Sequence, residues 1–380
     1  MHHRIILKLS FYITFILISI CNEKVVINKK VKMKRPHIIY ALIPLTLLID
    51  SVAAKNISKH LTTIVEPVPI VRIAPKYPIN AARDRREGWA KLSFVISKEG
   101  DVSNVLVTET SGSADFAQSA KKAVLQWKYQ PAFENGKPIE QCVNAVQMDF
   151  SMASDGIRGV TRKFKKKYQR ALEALTTKDY PRVKQELEGM LKLKERHLSE
   201  SNFMHSLASN YAKDINDNAL ELYHLKRIAL SSNNPISAQQ ELATLNDIFM
   251  LEINLNNFSS AYTTYNRLIK LELAKPYLEG YRQVIDKIDA FIVGDQNIIR
   301  NGDIKDKDYW HTSLVRNEFS LVNIKGALNK LDVRCANQRY IYTVEKDNTW
   351  TLPPSWKNCS IYVYGENHTS FKFVEHPINR

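Results

Sequence analysis

The stretch from Pro67 to Met152 constrains this chain most, because its turn residues and its alternation leave few ways to fold it. Tyr77-Pro78 forces an extended approach, since proline restricts the residue before it. Pro78 then suits the first position of a helix, where its missing N–H is no loss. The spacing predicts that helix over Ile79 to Arg86, with Gly88 at its exit. Ala90, Leu92, Phe94 and Ile96 alternate with Lys91, Ser93 and Val95, the pattern of a half-buried strand. Glu99-Gly100-Asp101 supplies a turn, and Val102 to Thr108 is rich in β-formers, so the two runs pair as a hairpin. Ser113 is an N-cap for a second helix, in which Phe116, Ala120, Ala123 and Trp127 recur at helical spacing. Asn135-Gly136 turns the chain, and Val146, Met148 and Phe150 line one face of a last strand. Helix, strand, strand, helix, strand makes a small α+β domain with its helices on one sheet face.

The series Tyr77-Pro78, Ala81, Glu87-Gly88, Phe94, Ile96, Gly100, Val102, Val105, Val107, Phe116, Ala123, Trp127, Tyr129, Pro131, Gly136 and Phe150 resembles the TonB C-terminal domain family. The match covers under a quarter of the chain. Proteins of that family transmit inner-membrane energy to outer-membrane β-barrel receptors. The resemblance implies that the last strand accepts a short receptor segment by strand addition, near the residues that precede Tyr77-Pro78. An unpaired edge offers free N–H and C=O groups, and alternate side chains set specificity. The partner-binding candidates are Arg72, Lys76 and Tyr77, then Val143, Ala145, Val146, Gln147, Met148 and Phe150. The competing reading makes Phe94, Trp127 and Phe150 core residues and has the edge capped within the chain.

Two short apolar runs, Leu9 to Ile20 and Ile38 to Ile49, stand at the N-terminus. The second follows Lys34-Arg35 and precedes Val52-Ala53-Ala54, the order of a secretory signal with its cleavage site. Each is shorter than the ~20 residues of a spanning helix. Residues 1–54 are thus expected to be an N-terminal extension and signal peptide, with translation starting at Met33 and the exported chain near Lys55. Residues 55–66 are expected to be a short linker. It lacks the long proline-rich spacer of TonB proteins, and the apolar runs lack their Ser-x-x-x-His anchor pattern.

From 156 to 295 the period becomes helical. Phe164, Tyr168, Ala171, Leu172 and Leu175 share a face, and after Lys178-Asp179-Tyr180-Pro181 so do Val183, Leu187, Met190 and Leu191. Tyr180 and Phe258 hold the same place in their units, with Ala219 between them. This resembles tetratricopeptide-type (TPR-like) helical hairpins, which would offer a concave surface to a second protein. The alternative is a plain helical domain without a ligand. Residues 300–380 read as a small β-sandwich or barrel of short aromatic and β-branched strands, and Cys335 and Cys359 are expected to form a disulfide in an oxidising compartment. Cys142 is left over.

Net charge is +15. It concentrates between Arg158 and Arg170, which points to an anionic membrane surface or an acidic partner, or else to a solvated helix face. No zinc spacing or RNA-binding signature accompanies it, so nucleic acid is not expected. No phosphate loop, His-Glu-x-x-His or nucleophile elbow occurs, and His197, His205 and His224 are scattered on helices and read as surface or packing residues, with the spacing of His197 and His205 unsuited to a close metal site. The sequence therefore reads as an α+β multi-domain protein without catalytic residues, metal or cofactor. It would be a periplasmic interaction protein of a TonB-type system, binding an outer-membrane receptor segment or a Ton component. The alternatives are a structural envelope adaptor and a membrane-anchored transducer.

Overall fold

The computed structural model describes residues 64–152, 160–193, 197–228, 237–305, 307–345 and 348–377, all within one compact unit, His60–Arg380. The expected signal peptide, the start at Met33, most of the linker and Arg158 lie outside the described residues. The end of the linker is not plain linker: β-branched Ile64–Val65 forms β1, paired with β6 (Ala132–Glu134).

The first region is built on a three-stranded antiparallel sheet in the order β4-β3-β8, from β3 (Gly88–Ile96), β4 (Val102–Ser111) and β8 (Gln141–Phe150). Helix α1 covers only Ile79–Arg83, shorter than its expected span, and the chain turns at Arg85 with φ 49°. Gly88 is consequently the first residue of β3, not a helix exit. A Cβ there would meet the Ser111 carbonyl oxygen at 2.1 Å, so the close strand approach demands glycine. Helix α2 (Ala114–Val124) lays Phe116, Ala120 and Val124 on Leu92, Phe94 and Phe150. Ser113 sits at its N-cap, without a side-chain bond. Gly100 turns the β3–β4 hairpin at φ 88°, its N–H bonded to the Ser97 carbonyl. Smaller pairings flank the sheet: β2 (Val68–Val71) with β5 (Lys128–Gln130), and β6 with β7 (Lys137–Ile139).

The second region is helical: α3 (Arg162–Thr176), α4 (Tyr180–Leu191), α5 (Leu198–Asp214), α6 (Asn218–Leu225), α7 (Ala238–Asn254), α8 (Phe258–Leu268) and α9 (Leu278–Val293). Successive helices pack as pairs, α3 on α4, α5 on α6, α7 on α8. The same turn joins each pair. Lys178, Asn216 and Asn256 are left-handed at φ 57–58°, and Asp179, Asp217 and Asn257 follow as N-caps. In each, the cap N–H reaches back to a carbonyl five residues earlier, at Ala174, Ala212 and Glu252, which closes the preceding helix. Tyr180 and Phe258 do begin their helices, but the residue between them is Asn218, not Ala219. Leu172 and Leu191 are about half exposed, against the expected face. Each lies at the rim of its helix stripe, and Ala174 takes the buried place on α3.

The third region is a sandwich of two four-stranded antiparallel sheets. One runs β10 (Tyr309–Ser313), β15 (Ser360–Gly365), β12 (Leu328–Arg334), β13 (Arg339–Thr343). The other runs β14 (Thr349–Thr351), β11 (Glu318–Lys325), β16 (Ser370–Glu375), β9 (Ile298–Asp303). Cys335 and Cys359 are joined in a disulfide. Arg316 ties this sandwich to the helices. Its guanidinium donates to the carbonyls of Phe291, Ile292, Gly294 and Gln296 at 2.7–3.2 Å, so it caps the otherwise unpaired C-terminal end of α9. The Glu375 carboxylate accepts from the backbone N–H of Val315 and Arg316 and pairs with buried Arg300.

Candidate functional site: an open strand edge

Strand β8 lies at one side of the three-stranded sheet, paired on its inner side with β3 from Gln141↔Ile96 to Phe150↔Gly88. A register shift between Leu92 and Phe94 accommodates the segment from Val143 to Val146 as a bulge. Met148 and Phe150 are buried, and Val143 and Val146 pack on the same core. Ala145 and Gln147 are exposed. Among the described residues, no strand pairs with the outer side of β8. One backbone contact touches its start: the Cys142 N–H donates to the Cys335 carbonyl at 3.3 Å. Among the described residues, no backbone bond from outside the sheet is seen on β8 beyond Cys142.

The rest of the sheet is covered. On the far side, the Tyr309 hydroxyl donates to the Val107 carbonyl at 2.8 Å and Lys307 to that of Thr108. On the face away from α2, Arg334 donates to Ser93 Oγ at 3.3 Å and to the Asn104 carbonyl at 2.9 Å. Trp89 packs on Leu198 of α5. The expectation of a half-buried β3 is thus corrected. Eight of its nine residues are buried because the sandwich and α5 occupy the second face. The alternation could not show this, since Ser93 is satisfied by Arg334, 241 residues away, while Lys91 pairs with Glu109 on the neighbouring strand.

Arg72 lies over the rings of Trp127 and Tyr129, 5.0 and 5.4 Å from their centroids, and its Nε donates to the Tyr129 hydroxyl. Trp127 meets Phe94 edge to face, and Phe94 pairs with Val143. Tyr77 meets Phe150 edge to face at the other end of β8, and its hydroxyl donates to the Arg86 carbonyl. The segment from Arg72 to Lys76 is therefore held against Trp127, Tyr129 and Ser119, and Tyr77 is its contact with β8. Lys76 is exposed, and its carbonyl accepts from Ser119. Tyr77, Met148 and Phe150 point into the core, while Arg72, Lys76, Ala145 and Gln147 face outward. An exposed aliphatic strip, Val65, Val68, Ile70, Val71 and Ile73, lies on and around β2. It is absent from the predicted site, although the β-branched run Val68-Pro69-Ile70-Val71 was its signal.

Electrostatics at the site are quiet. Burial pushes the Cys142 thiol up to about 12, which suppresses its thiolate. Behind the sheet, burial pushes the Glu109 carboxyl up, but Lys91, Lys226, Arg227 and His311 pull it down and prevail. That cluster draws on all three regions. Among the described residues, no group of three or more His, Cys, Asp or Glu side chains could hold a metal ion. No described helix is long and apolar enough to cross a membrane.

Residues 73–152 match the family described as Gram-negative bacterial TonB protein C-terminal. This chain carries a TonB C-terminal domain. The protein TonB of Escherichia coli K12 is 33% identical over 72 residues, which are 19% of this chain and 28% of that one. The Klebsiella pneumoniae TonB is 31% identical over 64 residues, 17% of this chain and 26% of that one. The match thus spans under a third of those relatives. The solution structure of the Pseudomonas aeruginosa TonB C-terminal domain aligns at 24% identity and a TM-score of 0.22, over 24% of this chain and 91% of that one. In this chain the helical region and the sandwich follow the TonB C-terminal domain and pack against its sheet.

Proposed function

We propose that this chain is an exported, non-catalytic interaction protein of a TonB-type transport system. Strand β8 of its TonB C-terminal domain accepts an extended segment of an outer-membrane receptor or of another Ton component. One observation carries the reading: among the described residues the outer edge of β8 is unpaired from Val143 onward, whereas the opposite edge, β4, is contacted by the side chains of Tyr309 and Lys307 and the second face of the sheet by Arg334. An incoming strand completes the unpaired N–H and C=O row, and exposed Arg72 and Lys76, in the segment that leads to Tyr77, are its proposed charged contacts. The cations suit a segment carrying carboxylates. A photo-crosslinking residue placed at Ala145 or Gln147 in the native cell tests this. A product with the N-terminal segment of a β-barrel receptor supports strand addition; products solely with unrelated soluble proteins overturn it.

The alternative is an envelope adaptor whose TPR-like helices dock a second protein while its basic surface meets anionic lipid. One observation favours the basic surface. Arg162, Lys163, Lys165 and Lys166 are exposed on α3 and have no ion-pair partner among the described residues, whereas Lys167 and Arg170 are paired with Glu186. Cations in the first turn oppose the helix dipole, so this arrangement works against helix stability. Release of the protein from membranes by high salt supports the lipid contact, and retention there excludes a purely charge-held one.

A further inference from the structure

The two sheets of the sandwich end side by side, β13 closing one and β14 the other. Between them lies a cleft of about 480 Å³ lined by Tyr340, Tyr342, Thr343, Glu345, Asn348, Trp350 and their neighbours. That volume is in the range of small-ligand sites. Its chemistry is distinctive. Tyr340 is 53% exposed, and its ring stands 4.6 Å from that of Tyr342 and 6.5 Å from that of Trp356, centroid to centroid. Ile341, on the same strand, is 48% exposed. Trp350 is buried and stacked on Phe319 at 5.6 Å, so the floor of the cleft is anchored in the core. Around the aromatic row stand neutral hydroxyl and amide groups, Thr343, Asn348, Thr349 and Thr351, with one carboxylate, Glu345.

We propose that this cleft binds an oligosaccharide. A pyranose ring has a flat, apolar C–H face and a hydroxyl-bearing rim. An aromatic face covers the first, and hydroxyl, amide and carboxylate groups bond the second. Tyr342 and Tyr340 lie in the cleft, and Trp356, packed on the core 6.5 Å from Tyr340, continues the row just outside it. Among the described residues the lining offers hydroxyl and amide groups with one carboxylate and no cation, which suits a neutral ligand. An extended peptide on the open β13 edge would call for pockets taking alternate side chains. The lining instead offers hydroxyl groups on both walls. This inference is independent of strand addition at β8, which lies in another region.

Calorimetric titration of the full chain with two soluble probes, a β-linked N-acetylglucosamine pentamer and maltopentaose, distinguishes the sugar classes and tests the site. Saturable binding of at least one probe is expected, with Tyr340→Ala weakening it about tenfold and leaving the melting temperature unchanged, since the ring is half exposed. Glu345→Gln is a second, fold-neutral variant, expected to weaken binding without abolishing it. Absence of saturable binding of both probes at millimolar concentration overturns the proposal. So does equal binding by wild type and Tyr340→Ala, or a crosslinker at Ile341 that captures an extended peptide while neither sugar competes.

Discussion

Single residues hold the regions of this chain in place through contacts that only close packing allows. Gly88 is the clearest: its missing side chain lets β3 and β4 approach where a Cβ would lie 2.1 Å from the Ser111 carbonyl. Gly88→Ala is expected to destabilise the fold by about 3 kcal/mol through overpacking, measured by urea denaturation. The titrating residue to watch is His224. Its Nδ1 lies 3.0 Å from Nδ1 of buried His205, so one ring donates and the other accepts. Burial, and then Arg227, push His224 down to about 4 from its ordinary 6.5. The folded state therefore keeps the ring neutral where the unfolded chain binds a proton. Its contribution is complete above pH 6.5 and is lost as the pH falls through that window toward 4. Between pH 7 and pH 5 the wild type is expected to lose roughly 1–2 kcal/mol more than His224→Gln, read from urea midpoints. Equal losses in the two proteins would remove the histidine pair from the acid response.

At the scale of elements, the recurring helix turn is the device most open to engineering. Lys178 occupies the left-handed position that glycine prefers, at φ 57°. Lys178→Gly is expected to stabilise the protein by about 1 kcal/mol, whereas Asn216→Gly yields less, because asparagine tolerates that conformation. A fall in the denaturant midpoint of Lys178→Gly would contradict the turn argument. These turns were legible because Lys178-Asp179-Tyr180-Pro181 and Asn256-Asn257-Phe258 carry break and cap in adjacent residues. Even spacing between Tyr180 and Phe258 points to Ala219, whereas the turn itself places Asn218 there. The β3–β4 hairpin and the inward set Val146, Met148 and Phe150 were legible for the same local reason: period two and a turn glycine. The strands β9, β10 and β14 were not. Arg300-Asn301-Gly302-Asp303 reads as a loop until Arg300 finds Glu375, 75 residues away. The exposed run Val68 to Val71 had strand composition, but its pairing with Lys128–Gln130 is set by tertiary packing. At the candidate site, the sequence indicated which residues line β8. It carried no sign that the opposite edge is contacted by Tyr309, which lies 202 residues from Val107.

On the scale of the whole molecule, the TonB C-terminal domain is clamped between its two companions. Glu87 accepts from the N–H groups of Met152 and Leu198, which binds the end of β8 to the start of α5. Arg334 is the cross-piece to the sandwich. It is 1% exposed, paired with Asp332, laid over Tyr362, and bonded to Ser93 and Asn104 on the far side of the junction. Its removal leaves Asp332 still paired with Arg339, but leaves Ser93 and Asn104 without this donor. Arg334→Ala is therefore expected to cost about 3 kcal/mol, the range for breaking a buried pair by deleting one partner. The distribution of that loss matters more than its size. If the regions share stability across this junction, amide exchange quickens in β3 and β4 as well as in β12, although no residue of the TonB C-terminal domain has changed. Exchange confined to β12 and β13 would mean that the sandwich merely leans on the sheet. In the first case a load applied at β8 spreads to the helices and the sandwich together, because the sheet is held by both.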